Sequence, residues 1–296
     1  MPYRKANDRV LLEHPKAREG STAEILFFGA TVISWRARAK GDPDDLKERL
    51  FVSSKAVLDG SKAVRGGIPV VFPCFGAPEH PDHSRLPQHG FARNQVWAFD
   101  SVVTDNDDGV SVRLTLQPNS TVAKLYTKDF QLDYVVTLAE HELSTDIHVS
   151  NPSASEVLDF HALLHTYIRA PANQVAISPL LGKLYIDKTE RSLEARNTLK
   201  EEKRGTVDVR TFTDSVYEDA PRRVDVSWPG GGVELKLDGF TTLTIWNPQA
   251  EVGSKIGDME ENGWERFVCV EPGYVRGFKQ LGPGKTWVGQ QTLAVE

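Results

Sequence analysis

The sequence predicts an all-β protein, mainly antiparallel, with few short helices. Three observations carry that reading: apolar and polar residues alternate strictly in many places, turn signals separate those stretches at short intervals, and helical periodicity is nearly absent. Many short strands without strand–helix alternation point to a large sandwich rather than a doubly wound or barrel architecture.

From the N-terminus, residues 23–28 read as a buried strand. Asp107-Asp108-Gly109 is a hairpin turn leading into Val110, Val112, Leu114 and Leu116, which alternate with Ser111, Arg113 and Thr115. Residues 120–128 form the main helical candidate, with Ser120 as its N-cap. Strands at 134–138 and 143–149 flank the turn at 139–142, and strands at 224–228 and 233–238 flank Pro229-Gly230-Gly231-Gly232. Residues 242–246 and 267–270 look fully buried, with a weak helical stretch at 256–261 between them. The charged runs 40–49 and 189–204 read as loops or solvated edges. Strands of the same character lie on both sides of each run, so residues 1–296 read as a single domain without internal repeats.

A chain of 296 residues buries roughly three quarters of its unfolded surface and needs neither disulfide nor structural metal to hold its core. Cys74 and Cys269 are its only cysteines, without CxxC spacing, which fits a reducing compartment. The formal net charge of −6, with both signs interspersed, argues against a nucleic-acid footprint or a membrane-binding face. Residues 1–10 carry no apolar leader and no stretch reaches membrane-spanning length, so a cytoplasmic protein is expected.

Val64-Arg65-Gly66-Gly67-Ile68-Pro69 and Leu86-Pro87-Gln88-His89-Gly90-Phe91-Ala92-Arg93 each set an arginine in backbone kinked by glycine and proline. Two guanidinium forks can grip a phosphate, each charge-assisted bond being worth roughly 1.5–3 kcal/mol. The plainer alternative is a pair of surface arginines. His161 and His165 share one face of an apolar run, where a hydrogen-bonded core histidine competes with an acid–base role. Val268-Cys269-Val270-Glu271-Pro272-Gly273 ends an apolar strand in a carboxylate, which places Glu271 at the mouth of the sheet as either a general base or a solvated strand end. Asp214 falls in a short turn-like segment. His80, His83 and His89 form a weak metal triad in a proline-rich loop, and Gly282-Pro283-Gly284-Lys285-Thr286 lacks the first glycine of a phosphate-binding loop.

Taken together, residues 64–73, residues 86–93, Leu164-His165-Thr166-Tyr167 and Cys269-Val270-Glu271-Pro272-Gly273 resemble the glucose-6-phosphate 1-epimerases, or hexose-6-phosphate mutarotases, of the aldose 1-epimerase superfamily. Phe28-Gly29-Ala30-Thr31-Val32 with Ser34-Trp35 matches the opening of that family, so the resemblance covers nearly the whole chain. It implies a galactose-mutarotase-like β-supersandwich; a monomer is expected. It also implies interconversion of the α and β anomers of a hexose 6-phosphate without metal or organic cofactor. On this sequence His165 matches the catalytic acid and Glu271 the catalytic base. Arg65, Gln88, His89, Arg93 and Asp214 match substrate-binding positions, and His161 matches no essential residue.

Ring opening needs one proton taken from the anomeric hydroxyl and another delivered to the ring oxygen, which ionised Glu271 and protonated His165 would supply. Two other functions remain open at this point: a glycoside hydrolase using Glu271 and Asp214 as a carboxylate pair, and a non-enzymatic sugar-phosphate sensor.

Overall fold

The computed structural model describes residues 2–15, 20–42 and 44–295. Alternation folds as expected, because apolar side chains two apart point to one face and stacking those faces removes them from water. The described strands form three antiparallel sheets. Tyr3–Lys5, Arg9–Glu13, Thr22–Leu26, Val32–Ala37 and Lys47–Glu48 make a five-stranded meander. An eight-stranded sheet runs in the spatial order Ala176–Ser178, Arg223–Trp228, Gly231–Asp238, Thr286–Val295, Glu142–Ser150, Gln131–Leu138, Gly109–Leu116 and Ala98–Asn106. The other eight-stranded sheet runs Lys200–Glu201, Leu184–Asp187, Thr213–Glu218, Thr242–Asn247, Phe267–Leu281, Leu158–Leu164 and Val70–Val71, with Tyr167–Arg169 also paired to Phe267–Leu281. One apolar cluster containing Val10, Trp35, Phe72, Leu114, Ile147, Phe160 and Leu243 draws on all three sheets.

The sequence reading fails where local signals are weakest. Residues 120–128 hold only the 3-10 turn Val122–Lys124, and its N–H groups are capped by the Asn119 side chain rather than by Ser120. The second helical candidate is displaced: 256–261 is a run of turns between the short helix Gln249–Gly253 and the 3-10 turn Gly263–Arg266. The charged runs are not simply solvated. Arg49 is buried, donating to the Ala37 carbonyl and paired with Asp45, and buried Glu202 accepts from Arg204 and from the Tyr217 hydroxyl. Each charge is held inside by partners that replace its hydration.

The segment leading to His89 is anchored by aromatic contacts. His83 is fully buried beside His80, Tyr126 and Phe278, with centroids 5.0, 5.7 and 5.4 Å away. His161 stacks on Phe278 with centroids 4.1 Å apart, and its Nδ1 accepts from the Phe75 N–H at 3.2 Å. Burial pushes both imidazoles down to about 4, so each is uncharged in the folded chain. The unfolded chain takes up those protons near pH 6.5, whereas the folded chain takes them up only near pH 4. Stability from this source is therefore full above pH 6.5 and lost as pH falls towards 4, by up to about 3 kcal/mol for each histidine. Urea midpoints measured across that window should fall steeply in the native chain and less steeply in His83→Phe; parallel slopes would sink this account.

Candidate active site

The third sheet sets the site through alternation on its central strand. Phe267–Leu281 puts Cys269 and Glu271 on one face, and the neighbouring strand Thr242–Asn247 places Thr244 opposite Glu271 and Trp246 opposite Cys269. On the other flank, Leu158–Leu164 ends in a tight turn before Tyr167–Arg169, and that turn carries His165. Glu271 is 1% exposed, so it does not sit at the mouth of the sheet as the sequence suggested. The strand runs through Pro272 and Gly273, because the Gly273 carbonyl still accepts from the Thr241 N–H and the Thr242 hydroxyl.

Backbone bonds fasten the His165 turn to the arginine loop. The His165 N–H donates to the Pro69 carbonyl, the Tyr167 N–H to the Gly67 carbonyl, and the Val270 N–H to the Thr166 carbonyl. Gly67 itself sits at φ +69°, and a Cβ there would lie 2.1 Å from the Val32 carbonyl oxygen. Only glycine allows this approach. The loop in turn presents Arg65, whose Nε donates to Asp258 at 2.9 Å and whose Nη1 donates to the Tyr167 hydroxyl at 3.3 Å.

His89 enters from the second motif with φ +66°, a left-handed conformation uncommon outside glycine. Its N–H donates to the Gly76 carbonyl and its Nδ1 accepts from the Gly76 N–H at 3.1 Å, which fixes the ring. Arg93 donates from Nη2 to the Gln88 carbonyl at 3.0 Å, while its buried Nε has no partner.

These elements enclose a cavity of about 190 Å³. Arg65, Gln88, His89, Arg93, His165, Asp214 and Glu271, every residue that the family resemblance assigned to the site, line it together. Asp214 lies on the strand Thr213–Glu218 rather than in a turn, and its Oδ1 is 3.8 Å from Lys188 Nζ. His80 and His83 do not join His89: they pack on Phe278 while His89 turns towards Phe75 and His165. The sets of three metal-capable side chains found among the described residues reduce to His165, Cys269 and Glu271, with ligand atoms within 4.8 Å of one another.

Sequence reasoning missed Phe75, Lys188, Thr244 and Trp246, which also line the cavity. Thr244 and Trp246 were recoverable from strand alternation once Glu271 was placed on a neighbouring strand. Lys188 precedes a run dismissed as solvated, yet it stands 4.4 Å from the Phe75 ring centroid. A larger cleft of about 600 Å³ near Arg49, Arg169, Trp228 and Arg266 holds no comparable acid–base pair, and its Arg49 and Arg266 already bond Asp45 and Glu260.

His165 Nδ1 is 3.3 Å from Glu271 Oε1, and Glu271 Oε2 has no hydrogen-bond partner. Burial pushes Glu271 well above the usual carboxylate range, with the Asp214 charge adding to the effect. Burial also pushes His165 well below the usual imidazole range, assisted by the Arg93 and Arg65 guanidiniums. Both shifts favour an uncharged carboxyl and an uncharged imidazole over carboxylate and imidazolium, so the pair carries one proton, on the carboxyl, and His165 Nδ1 makes no hydrogen bond. His89 is held uncharged by burial and by Arg93.

A buried acid–base pair in a polar cavity on a β-sandwich is the layout of a sugar-ring isomerase, and comparison with known proteins gives it a family. Residues 8–294 match the family described as "Aldose 1-epimerase", and the chain belongs to that family. It is 29% identical to a Cenchrus ciliaris protein named "Putative glucose-6-phosphate 1-epimerase", over 92% of this chain and 80% of that one. An Escherichia coli protein with the same name is 30% identical over 90% of this chain and 83% of its own length. The crystal structure of a "putative mutarotase" from Salmonella typhimurium superposes with a TM-score of 0.83 at 25% identity, covering 99% of this chain and 92% of that one. The protein is thus an isomerase that interconverts anomers of an aldose, built on the galactose-mutarotase-like sandwich. No described helix is long and apolar enough to cross a membrane.

The contact at Gly67 gives a direct test of how the arginine loop and the His165 turn are held. Gly67→Ala should cost about 3 kcal/mol or more in urea unfolding, because its Cβ would collide with backbone. Gly76→Ala, at φ +72° with open space around it, should cost only about 1–2 kcal/mol. Equal losses would remove the close approach at Gly67 as the cause.

Proposed function

We propose that this protein interconverts the α and β anomers of a hexose 6-phosphate, chiefly glucose 6-phosphate, with Glu271 as base and His165 as acid. The carrying observation is that the His165–Glu271 pair and two arginines line one cavity, and that Arg93 has no carboxylate within ion-pair distance among the described residues. Arg65 and Arg93 grip the phosphate, and Gln88, His89 and Asp214 meet sugar hydroxyls. The relatives' names support the same substrate class.

Transfer of the pair's proton from Glu271 to His165 gives the reactive carboxylate and imidazolium; Glu271 then takes the proton of the anomeric hydroxyl while His165 protonates the ring oxygen. The ring opens, the C1–C2 bond rotates, and closure on the other face returns both protons. The carboxyl and neutral imidazole favoured by burial are the forms present while the open-chain aldehyde is bound, so the site stabilises the intermediate more than a solvated pair would. The phosphate clamp keeps that aldehyde from leaving before it recloses, turning remote binding energy into orientation. Acid–base groups of this kind contribute about 10²–10⁴-fold each, which is ample for a reaction that already proceeds in water. A phosphorylated substrate and two buried free thiols fit a cytoplasmic setting, and nothing in this mechanism requires a second subunit or a cofactor.

Coupled or polarimetric assays of anomer exchange test the reading. Arg93→Ala should raise KM for glucose 6-phosphate at least about tenfold while changing the rate with free glucose little; equal losses on both sugars would refute the clamp. His165→Ala and Glu271→Gln should each lower kcat about 10²–10⁴-fold with KM largely kept. Because both forms of the pair carry one proton, kcat/KM should be flat around neutrality and fall on either side, and a narrow optimum would contradict the shared proton.

A further inference from the structure

The arginines and the proton-transfer pair are joined by one side chain. Arg65 Nη1 donates to the Tyr167 hydroxyl, and the Tyr167 ring lies parallel to the His165 imidazole, with centroids 4.8 Å and planes 10° apart. Tyr167 is 2% exposed and wedged against Phe51 and Phe267, so it has little freedom to move between its two contacts. Arg65, Arg93, His165 and Tyr167 also line a recess of about 160 Å³ that shares Arg65, Arg93 and His165 with the main cavity. On the opposite side, Thr244 faces Glu271 across the strand pair, and Lys188 stands by Asp214. The two guanidiniums therefore sit on the imidazole's side of the pair.

We propose that the anion clamp governs the proton on the His165–Glu271 pair, so that a divalent oxyanion held by Arg65 and Arg93 activates anomerisation even when it is not attached to the sugar. This rests on the reading of the clamp given above and adds a second activity: turnover of an unphosphorylated aldose driven by a separate anion. With the clamp open, Arg93 and Arg65, the latter sharing the Asp258 carboxylate with Lys62, oppose protonation of His165 and leave the proton on Glu271. That arrangement lacks the carboxylate and imidazolium needed to open a ring. A bound dianion offsets both charges, and removal of a nearby like charge is worth about 1–3 pKa units, which raises the imidazolium population tenfold or more.

The other groups facing His165 do not replace this control. His89, 5.9 Å away, and Cys269 on the adjacent strand are both held uncharged by burial. Lys188 also opposes protonation of His165, but its Nζ stands 3.8 Å from Asp214 Oδ1 and it is not a clamp residue. Arg93 acts on both members of the pair, whereas Arg65 is tied to the imidazole side through the Tyr167 hydroxyl and the Tyr167–His165 stack. Neutralising both arginines accordingly favours transfer of the proton from carboxyl to imidazole. Tyr167 is a positioning residue in this scheme: it holds the guanidinium and the imidazole at a fixed separation.

The test uses the full chain and xylose, an aldopyranose without the C6 arm, so that the clamp stays free for a separate ion. Sodium sulfate is titrated against sodium chloride at constant ionic strength, and anomer exchange is followed by polarimetry. The expected result is a saturable rise in kcat of at least about tenfold with KM little changed, and an upward displacement of the alkaline limb of the pH profile. No activation, or inhibition, overturns the proposal. Arg93→Ala should abolish the sulfate effect, and Arg93→Lys, which keeps a charge, should restore part of it. Tyr167→Phe should reduce the activation factor severalfold by freeing Arg65, and full activation in that variant would overturn the assigned role of Tyr167. Glucose 6-phosphate run in parallel separates the two readings. Its turnover without sulfate activation of xylose removes the coupling alone, sulfate activation without its turnover removes the phosphorylated substrate alone, and inertness towards all three conditions removes both.

Discussion

Glu271 is a carboxyl group placed mid-strand at the centre of a sheet, almost without exposure, and its burial constrains the rest of the pocket. An isolated charge there would be prohibitively costly, so its protonation state is decided by neighbours rather than by solvent. His165 at 3.3 Å offers a place for the proton, Lys188 and Arg93 favour the ionised form, and Asp214 opposes it. Burial thereby holds the pair in its uncharged form, and the surrounding charges act for or against that form. A solvated carboxylate at a strand end, one of the two readings the sequence left open, would be fixed in its charged form and insensitive to what enters the cavity.

Such a balance is useful only if the groups do not move. The Arg65 loop, the His165 turn and the Glu271 strand are tied by main-chain bonds: Gly67 to Phe51, Tyr167 to Gly67, His165 to Pro69 and Val270 to Thr166. Main-chain bonds lose less entropy on forming the bound state than long side chains do, which favours orientation over flexibility in a reaction whose uncatalysed barrier is modest. The arginines are the exceptions with long side chains, and each is restrained: Arg65 by Asp258 and Tyr167, Arg93 by the Gln88 carbonyl.

Alternation made the large sheets legible, since a period of two is a local property and survives without knowledge of partners. The strands Gly109–Leu116, Glu142–Ser150 and Gly231–Asp238 lie within a residue or two of their sequence readings. Helical signals were misleading for the opposite reason: a cap and a few good formers at residues 120–128 yield one 3-10 turn when tertiary contacts reward nothing longer. In the site, the motif residues were legible because glycine and proline mark unusual backbone. Thr244 and Trp246 carry no such mark, and their place emerges only from register across the strand Phe267–Leu281. Lys188 was hidden by composition, because a lysine beside a charged run looks solvated until the fold turns it over Phe75.

Beneath the His165 turn the two large sheets meet through polar rather than apolar contact. The Thr166 hydroxyl donates to Gln291 Oε1 at 2.9 Å, and Gln291 Nε2 donates to the Thr145 hydroxyl at 3.2 Å, all of them buried. Apolar packing at this point would bring equal burial but would tolerate small shifts of one sheet over the other. A satisfied hydrogen-bond chain does not, because any slip leaves a buried donor or acceptor without a partner at a cost of about 1–3 kcal/mol. Thr166 lies between His165 and Tyr167, so the chain fixes in register the segment on which the stacking and proton exchange both rely. Beside the buried charges held elsewhere in the fold, this chain of hydrogen bonds places interior polarity where positional error would be harmful to chemistry.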